Sequence, residues 1–166
     1  MPAPSPVRVR KPVAATRPEF RLRKHADYQR VYREGKRQSL TLMTYFFAAR
    51  NPQVEAAVGN AEKPTRRRAI EVPAGSRVGL TAGRVLGNAV ERNRIKRRMR
   101  QAMRQTQTEL TADVDVVLHP RRTVLEAEFS EIERDVLRAF RAVESALKNL
   151  AREKTAKVDS DSDSQR

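Results

Sequence analysis

The chain has 166 residues, enough for one domain of ordinary size, and carries 35 Lys and Arg against 20 Asp and Glu, a net charge of +15. A chain this basic indicates a polyanionic partner, and the absence of cysteine excludes disulfides, thiol catalysis and Cys-ligated zinc. Because there is also no apolar run of about 18 residues and no apolar signal segment, we expect a cytoplasmic protein without a membrane span.

The positive charge is concentrated in two segments. Residues 1–37 hold 11 basic and 3 acidic side chains, and residues 77–104 hold 9 basic side chains and one acid, so each segment has a net charge of +8. The remainder of the chain is nearly neutral. Since like charges repel, two separate concentrations indicate a binding surface that a partner neutralises.

The N-terminal part combines an arm and a helix. Residues 1–19 are rich in proline and basic residues, which predicts a disordered basic arm. The first ordered element is a predicted helix over His25–Glu34, followed by Gly35 as a C′ stop. The apolar face of this helix consists of Tyr28, Val31 and Tyr32.

Strands around a long insertion are predicted for the middle of the chain. Ser39–Ala49 is rich in threonine and aromatic residues, which is typical of one or two strands, and Arg77–Ala82 forms a further strand. Residues 51–76 between them are predicted to be a disordered inserted loop. The run Arg66–Arg68 in this loop either contacts the polyanionic partner or is simply solvated.

A long helix is predicted to begin after Asn88. Asn88 and Glu91 have the spacing of a capping box, with Asn in the place of Ser or Thr. At roughly 100° per residue, its buried face consists of Ile95, Met99, Ala102, Met103 and Thr106. A strand over Asp115–Leu118 and a helix over Phe129–Leu150 follow, and residues 151–166 are predicted to be a disordered charged tail.

The exposed side of this helix is strongly basic. Six of the nine residues from Arg92 to Arg100 are Arg or Lys, and none is acidic. A solvated helix face normally alternates charge signs because like charges at i and i+4 repel, so a face without a partner is disfavoured. Guanidinium groups bind phosphate through paired hydrogen bonds, which favours a nucleic acid. A membrane-surface helix is a further alternative, although its apolar face would need aromatic residues that this helix lacks.

The segment Gly87–Arg100 resembles the signature of the bacterial ribonuclease P protein subunit. It reads Gly-Asn-Ala-Val-Glu-Arg-Asn-Arg-Ile-Lys-Arg-Arg-Met-Arg. Arg21–Gly35 is similar to the first helix of that family, Arg77–Thr81 to the strand before the signature, and Asp115–Leu118 to the strand after it. The resemblance covers about residues 20–147 in the order of the family.

This resemblance implies an α/β fold of the α+β type over residues 20–150, a two-layer sandwich in the order αβββαβα. The sheet would be mainly antiparallel, with a left-handed strand–helix–strand crossover where general rules favour the right-handed form. The resemblance further implies a non-catalytic protein subunit of ribonuclease P, an endoribonuclease that matures the 5′ end of tRNA. Its partners would be the catalytic RNA, at one protein per RNA, and precursor tRNA. The RNA would hold Mg²⁺ and perform the hydrolysis.

The resemblance also implies the residues of two sites. The positions that would contact the catalytic RNA are Arg92, Asn93, Arg94, Lys96, Arg97 and Arg100, with Arg84 and Arg104 flanking them. The cleft for the 5′ leader would be lined by Tyr28, Tyr32 and an aromatic residue of the central strand, Phe46 or, with the register shifted by one, Tyr45. Stacking of bases on aromatic rings tolerates any sequence, as an enzyme with many precursors requires.

Other interpretations stay open at this point. The two tyrosines of the first helix also fit ordinary core packing, and the basic helix alone would suit a ribosomal or other structural RNA-binding protein, or a DNA-binding protein. His25 and His119 lack partners at metal-ligand spacing, and Asp113 and Asp115 are expected in a turn rather than as Mg²⁺ ligands. We therefore predict neither a metal site nor a catalytic residue in the protein itself.

Overall fold

The computed structural model describes residues 20–50 and 75–163, with side chains as far as Arg152. Over these residues the main elements are α1 (His25–Glu34), β1 (Lys36–Ser39), β2 (Met43–Ala49), β3 (Arg77–Leu80), α2 (Ala89–Thr106), β4 (Val114–Pro120) and α3 (Phe129–Asp163). The predicted order αβββαβα is confirmed. The predicted arm 1–19 and most of the predicted loop, residues 51–74, lie outside the described residues.

The strands form one sheet in the order β1-β2-β4-β3. β1 and β2 are antiparallel, as are β2 and β4, whereas β3 and β4 are parallel. A parallel pair requires a crossover connection, which α2 provides here, and the left-handed sense expected for it stays a prediction. Leu80 pairs with Leu118 at the end of the parallel ladder, so the residues that follow β3 and β4 meet at one edge of the sheet.

The sheet separates two apolar clusters because successive side chains of a strand point to opposite faces. Tyr45 and Phe47 of β2 belong to the main core, which lies between the sheet and the helices α2 and α3. This arrangement is the predicted two-layer sandwich. On the opposite face α1 covers part of the sheet, where its Val31 packs with Val117 of β4 and with Phe46.

Helix α2 begins with the predicted capping box. The Asn88 side chain accepts a hydrogen bond from the backbone N–H of Glu91 at 2.9 Å, and the Glu91 carboxylate accepts one from the backbone N–H of Asn88 at 2.8 Å. These bonds satisfy donors that a helix start otherwise leaves unpaired, and the second of them, to the Glu91 carboxylate, lowers the pKa of Glu91. The predicted buried face is confirmed: Ile95, Met99, Ala102, Met103 and Thr106 are all buried.

The structure corrects the predicted strand boundaries. The segment predicted as Ser39–Ala49 is a hairpin, in which β1 begins at Lys36 and is separated from β2 by a short turn. All four residues of β1 are exposed, so the strand has no apolar alternation by which to detect it. A polar, charged edge strand of this kind also disfavours pairing with another chain.

Two helix ends differ from the prediction. Gly35 ends α1 in an extended conformation (φ −81°), not in the left-handed one usual at C′, and its requirement for glycine is steric. A Cβ at Gly35 would lie 2.8 Å from the carbonyl oxygen of Phe47. Helix α3 begins at Phe129 as predicted but continues past Leu150 to Asp163, so the prediction of a disordered tail was wrong for 151–163.

The extension of α3 has a local cause. Its first half, 151–157, is composed mostly of Ala, Lys, Arg and Glu, which are good helix formers, and no Gly or Pro follows Leu150 to end the helix. The charged and Ser-rich composition was therefore a poor guide to backbone conformation. None of the helices in the described part of the chain is both long and apolar enough to span a bilayer.

Candidate nucleic-acid interface

The basic face of α2 is the first of two candidate surfaces, and we define it by Arg92, Asn93, Arg94, Lys96, Arg97 and Arg100. Asn93, Arg94, Arg97 and Arg100 are exposed, whereas Arg92 and Lys96 are half-buried. Among the described residues, none of these cations pairs with a carboxylate. Their hydrogen-bond donors are thus available to phosphate groups, for which the planar guanidinium is well suited.

A shallow groove of about 620 Å³ runs beside this face. It is lined by Val90, Asn93, Arg94, Arg97, Arg98 and Gln101. Val90 is 77 % exposed, so the start of α2 presents an apolar contact next to the cations. A groove that combines apolar and cationic groups suits a nucleic-acid backbone, which presents sugars as well as phosphates.

Arg98 has a different role from its basic neighbours. Its guanidinium donates hydrogen bonds to the backbone carbonyls of Val124, Leu125 (2.8 Å) and Ala127. These bonds tie the turn that follows β4 to α2, so Arg98 is a structural residue. Of the two flanking predictions, Arg84 is exposed in a short 3₁₀ turn before α2, and Arg104 is half-buried toward the far end of the helix.

The second surface is a cleft between α1 and the sheet. Tyr28 packs directly on the backbone of β3, where a Cβ at Gly79 would lie 2.7 Å from atoms of the Tyr28 ring. Only glycine permits this approach. The Tyr28 hydroxyl donates to the carbonyl of Leu22 at 3.4 Å, and burial raises the pKa of Tyr28.

One turn further along α1, three rings form an aromatic cluster, which we define as Tyr32, Phe46 and His119. The centroid of Tyr32 lies 5.2 Å from that of Phe46 and 5.6 Å from that of His119, and Phe46 and His119 are 5.3 Å apart. All three pairs have edge-to-face geometry, with interplanar angles of 61–88°. Tyr32 is 36 % exposed, so the cluster is open to a ligand.

The structure decides which aromatic residue of β2 belongs to the cleft. Phe46 faces α1 and is half-buried in the aromatic cluster. Tyr45 is only 1 % exposed, points into the main core beside Phe47, and donates its hydroxyl to Gln38. The alternative assignment of Tyr45 to the cleft was therefore wrong, since strand alternation puts neighbouring residues on opposite faces.

Sequence reasoning missed His119 as a cleft residue. Its Nε2 lies 2.9 Å from the hydroxyl of Tyr32, which in turn lies 3.3 Å from the hydroxyl of Thr81. Arg37 stands over the Phe46 ring, with Cζ 5.9 Å from the centroid. Burial lowers the pKa of His119, and the nearby charge of Arg37 lowers it further. A period-two reading of β4 over its full length would have put His119 on the same face as Val117.

A buried ionic cluster anchors the other end of the cleft, and it corrects the prediction that Asp115 has a turn role. Asp115 lies within β4 with its side chain fully buried, and it contacts the guanidinium groups of Arg30, Arg50 and Arg77. Arg77 also pairs with Asp27 of α1 at 3.2 Å. Through Arg30 and Asp27, the cluster ties α1 to the two parallel strands and so sets its position over the sheet.

The two surfaces are connected along the chain at the edge where β3 and β4 end. Thr81 and His119 belong to the cleft. After Thr81 the chain leads to the start of α2, and after His119 it leads to the turn beside α2. Arg84 lies in the first connection. In the second, Arg122 pairs with Glu91 of α2 at 2.9 Å. Short segments, held by this ion pair and by the capping bonds of α2, therefore connect the cleft to the helix that carries the basic face.

Known proteins are similar to this chain in sequence and in fold. A family model described as Ribonuclease P matches residues 17–144. The Ribonuclease P protein component of Finegoldia magna is 31 % identical over 121 residues, covering 73 % of this chain and 88 % of that protein. The corresponding protein of Chloroflexus aggregans is 34 % identical over 122 residues, covering 73 % and 75 %.

The fold matches solved structures as well. The RNase P protein from Thermotoga maritima superposes with a TM-score of 0.55 at 21 % identity, covering 74 % of this chain and 96 % of that one. The RNase P protein of Staphylococcus aureus gives a TM-score of 0.52 at 22 % identity. The family match includes α1, the whole sheet and α2, and thus both candidate surfaces. The chain therefore belongs to the ribonuclease P family.

Proposed function

We propose that this protein is the protein subunit of ribonuclease P. It binds the catalytic RNA with the basic face of α2, and it binds the 5′ leader of precursor tRNA in the cleft under α1. It thereby supports endonucleolytic maturation of the 5′ end of tRNA. One protein would serve one RNA, in the cytoplasm. Membership of the family supports binding to an RNA subunit. The geometry of the two surfaces supports the assignment of the catalytic RNA to the basic face and of the leader to the cleft.

The observation that carries the proposal is the short connection between the two surfaces through the residues that follow β3 and β4 at one edge of the sheet. A precursor tRNA is a folded RNA continued by a single strand, so its recognition requires a phosphate-binding surface next to a surface that accepts unstacked bases. The basic face supplies the first, with Arg94, Arg97 and Arg100 exposed and free of carboxylate partners in the described part of the chain. The aromatic cluster supplies the second.

Aromatic side chains suit a leader of variable sequence. Each base that stacks on a ring contributes about 1–3 kcal/mol, and every base has a face with which to stack. Tyr32 exposes its ring while its hydroxyl stays hydrogen-bonded, which suits a wet cleft. A structural RNA-binding protein that recognises only a folded RNA would have no use for such a cleft.

We assign the chemistry and Mg²⁺ to the RNA subunit, as the resemblance implies. The described side chains at the interface are cations and aromatic rings, which bind phosphates and bases, whereas Mg²⁺ prefers carboxylate and phosphate oxygens. Among the described residues, no three His, Asp or Glu side chains stand close enough together to hold a metal ion. The contribution of the protein is then to position the substrate and neutralise phosphates.

Reconstitution tests the proposal. The protein is mixed with a bacterial ribonuclease P RNA and precursor tRNA at low Mg²⁺ concentration, where the RNA alone is expected to cleave slowly. We expect the protein to accelerate cleavage, and the variant Arg94→Ala/Arg97→Ala to lose most of that effect. Arg134→Ala, which removes an exposed arginine of α3, is the matched control. Absence of stimulation by the wild-type protein would refute the assignment.

The cleft is tested separately by comparing precursor tRNA with mature tRNA. Tyr28→Ala and Tyr32→Ala should weaken binding of the precursor by about 1–3 kcal/mol and leave binding of mature tRNA unchanged. Tyr32→Phe, which keeps the ring, should retain most of the affinity. Equal losses of affinity for the two RNAs would indicate that the tyrosines have only a packing role.

A further inference from the structure

Helix α3 carries a second row of exposed cations. We call it the α3 row and define it as Arg138, Arg141, Lys148 and Arg152. The spacing i, i+3, i+10 and i+14, with Ser145 in between, puts these residues on one line along the helix. This line lies opposite the buried stripe that contains Val136 and Val143. The α3 row therefore faces away from the sheet over a length of about 21 Å.

The charge around the α3 row differs from that of an ordinary solvated helix face. Residues 136–152 hold four cations and one acid, Glu144, which is buried and accepts a hydrogen bond from the backbone N–H of Ala112 at 2.6 Å. The preceding segment, 126–135, holds five acids and one cation, Arg134. Exposed helix faces normally alternate in sign because like charges three or four residues apart repel. A row of one sign after the acidic start of α3 thus indicates a polyanionic partner.

Two cations of the row have carboxylates nearby, but both stay accessible. Arg141 pairs with Glu109 at 3.1 Å. Arg138 lies 3.9 Å from Asp135, whose carboxylate also accepts a hydrogen bond from the backbone N–H of Leu42. The two arginine side chains are 65 % and 62 % exposed, respectively. Because exposed ion pairs contribute little to stability, these guanidinium groups can exchange their carboxylates for phosphates.

The α3 row lies beside the basic face of α2, on the same side of the molecule. Both helices bury their apolar stripes in the main core, on one face of the sheet. Arg98 in the middle of α2 binds carbonyl groups just before the start of α3, and Glu109, just after α2, pairs with Arg141 in the first half of α3. The two helices therefore run side by side in the same direction, at the usual separation of about 8–10 Å between packed helices. Each carries one row of outward-facing cations.

We propose that this outer side of α2 and α3 binds double-stranded RNA, with the basic face of α2 on one phosphate strand and the α3 row on the other. The inference rests on the proposed function for α2 and goes beyond it for α3. A duplex presents two phosphate strands along each groove, whereas a single strand presents one, so two parallel rows of cations match a duplex.

The surroundings of the α3 row favour RNA over other polyanions. The row continues a surface whose chemistry already suits phosphates, and arginine is its main residue, which favours phosphate over the carboxylates of an acidic protein surface. A helix that binds a membrane surface requires exposed apolar side chains, and the described part of α3 exposes no large one. Lys148 and Arg152 lie past residue 144, where the family match ends, so the extension of α3 lengthens this surface.

The test compares two RNAs and charge-matched variants of the full chain. The probes are an RNA duplex of about 16 base pairs, the length that a double-stranded RNA-binding domain spans, and one of its strands alone. Arg138→Ala and Lys148→Ala each remove one cation of the α3 row. The control is Arg134→Ala, which removes one exposed cation from the acidic start of the same helix and so changes the net charge equally. Circular dichroism and thermal unfolding verify that each variant folds.

Binding is measured at about 0.1 M salt, where one phosphate contact contributes up to about 8-fold in affinity. We expect Arg138→Ala and Lys148→Ala each to weaken duplex binding by about 3- to 8-fold, and their combination to weaken it by more than about 10-fold. Binding of the single strand, to which α2 and the cleft are sufficient, should change by less than about 2-fold. Arg134→Ala should leave both affinities within about 2-fold of the wild type.

Several results would overturn the inference. Equal losses for the duplex and the single strand would indicate that the α3 row contributes only net charge, as would equal losses in Arg134→Ala and Arg138→Ala. A wild type that binds the duplex no more tightly than the single strand would also contradict it.

The variant Arg94→Ala/Arg97→Ala separates this inference from the proposed function. If that variant loses affinity for both RNAs while Arg138→Ala and Lys148→Ala behave like the control, the inference alone fails. If it binds both RNAs as tightly as the wild type does, the proposed role of α2 fails and the inference with it.

Discussion

Arg77 on β3 donates two hydrogen bonds to Asp115 on β4, from Nε to Oδ1 at 2.7 Å and from Nη2 to Oδ2 at 2.6 Å. The pair spans the two parallel strands, and the same carboxylate accepts a hydrogen bond from Arg30 of α1. One buried acid thus links three elements that are distant in sequence. It is the group on which the position of α1, and with it the width of the cleft, depends.

Replacement of this acid should destabilise the protein strongly. Asp115→Asn leaves the guanidinium groups of Arg30, Arg50 and Arg77 close together without their carboxylate, and breaking a buried ion pair in this way costs about 3–5 kcal/mol. Urea unfolding measures the loss. Asp113→Asn is the control because that side chain is exposed near the start of the same strand, and its loss should stay below about 1 kcal/mol. Similar losses for both variants would contradict the anchoring role.

The close packing of Tyr28 on β3 gives a steric prediction. Gly79→Ala puts a methyl group where the Tyr28 ring now lies, so the ring must move outward and the cleft must change shape. We expect precursor tRNA to bind at least about 5-fold more weakly, with mature tRNA unaffected, since one base stack contributes about 1–3 kcal/mol. In Gly83→Ala the new methyl group meets only Val85 Cγ1, at an ordinary contact distance of 4.0 Å, so binding should be unchanged. If the two variants bind precursor tRNA equally well, Tyr28 is not part of the binding surface.

Salt dependence tests the phosphate contacts of α2. About six contacts predict that the logarithm of RNA affinity falls with the logarithm of salt concentration at a slope of about −4 to −5. Arg97→Ala should make the slope shallower by roughly 0.7–0.9, the contribution of one phosphate. Arg134→Ala on α3 should not change it. Titrations at four or more salt concentrations are sufficient, and a wild-type slope near zero would exclude the phosphate interpretation.

Protonation of His119 should reduce stability in mild acid. Burial lowers its pKa in the folded protein below the ordinary value of 6.5, so near pH 6 the unfolded chain binds more protons than the folded one. Its stabilising contribution is complete above about pH 6.5 and is lost as pH falls through the folded pKa. We expect the free energy of unfolding to rise between about pH 5 and pH 7, and to rise less in His119→Phe. If the pH dependence of the free energy of unfolding changes equally in His25→Phe, the effect does not come from His119.

Local patterns in the sequence predicted local structure well. The bounds of α1, the capping box of Asn88 and Glu91, and the buried face of α2 follow from spacing and hydrogen-bonding rules that act over a few residues. The basic face of α2 followed from charge patterning. Its identification with RNA required the family resemblance, because phosphate recognition by arginine is common to all nucleic acids.

Features that depend on pairing across the sheet were missed or wrong. The role of Asp115 depends on arginines that are 38 to 85 positions away in sequence, and no spacing rule relates them. His119 lacked metal-ligand neighbours in sequence, but the fold brings Tyr32 and Phe46 to it. The choice between Tyr45 and Phe46 depended on strand register, for which a shift of one residue exchanges the two faces.

The division of apolar residues between the two faces of the sheet has a consequence for how this protein diversifies. Over the described residues, the main core and the cluster under α1 share no side chain. Substitutions at sites without common neighbours have nearly additive energetic effects, so changes at Phe46 or His119 leave the packing of α2 and α3 largely undisturbed. Substitutions in the cleft under α1 can thus accumulate by drift or selection on one face, while the other face retains the stability that keeps the protein folded.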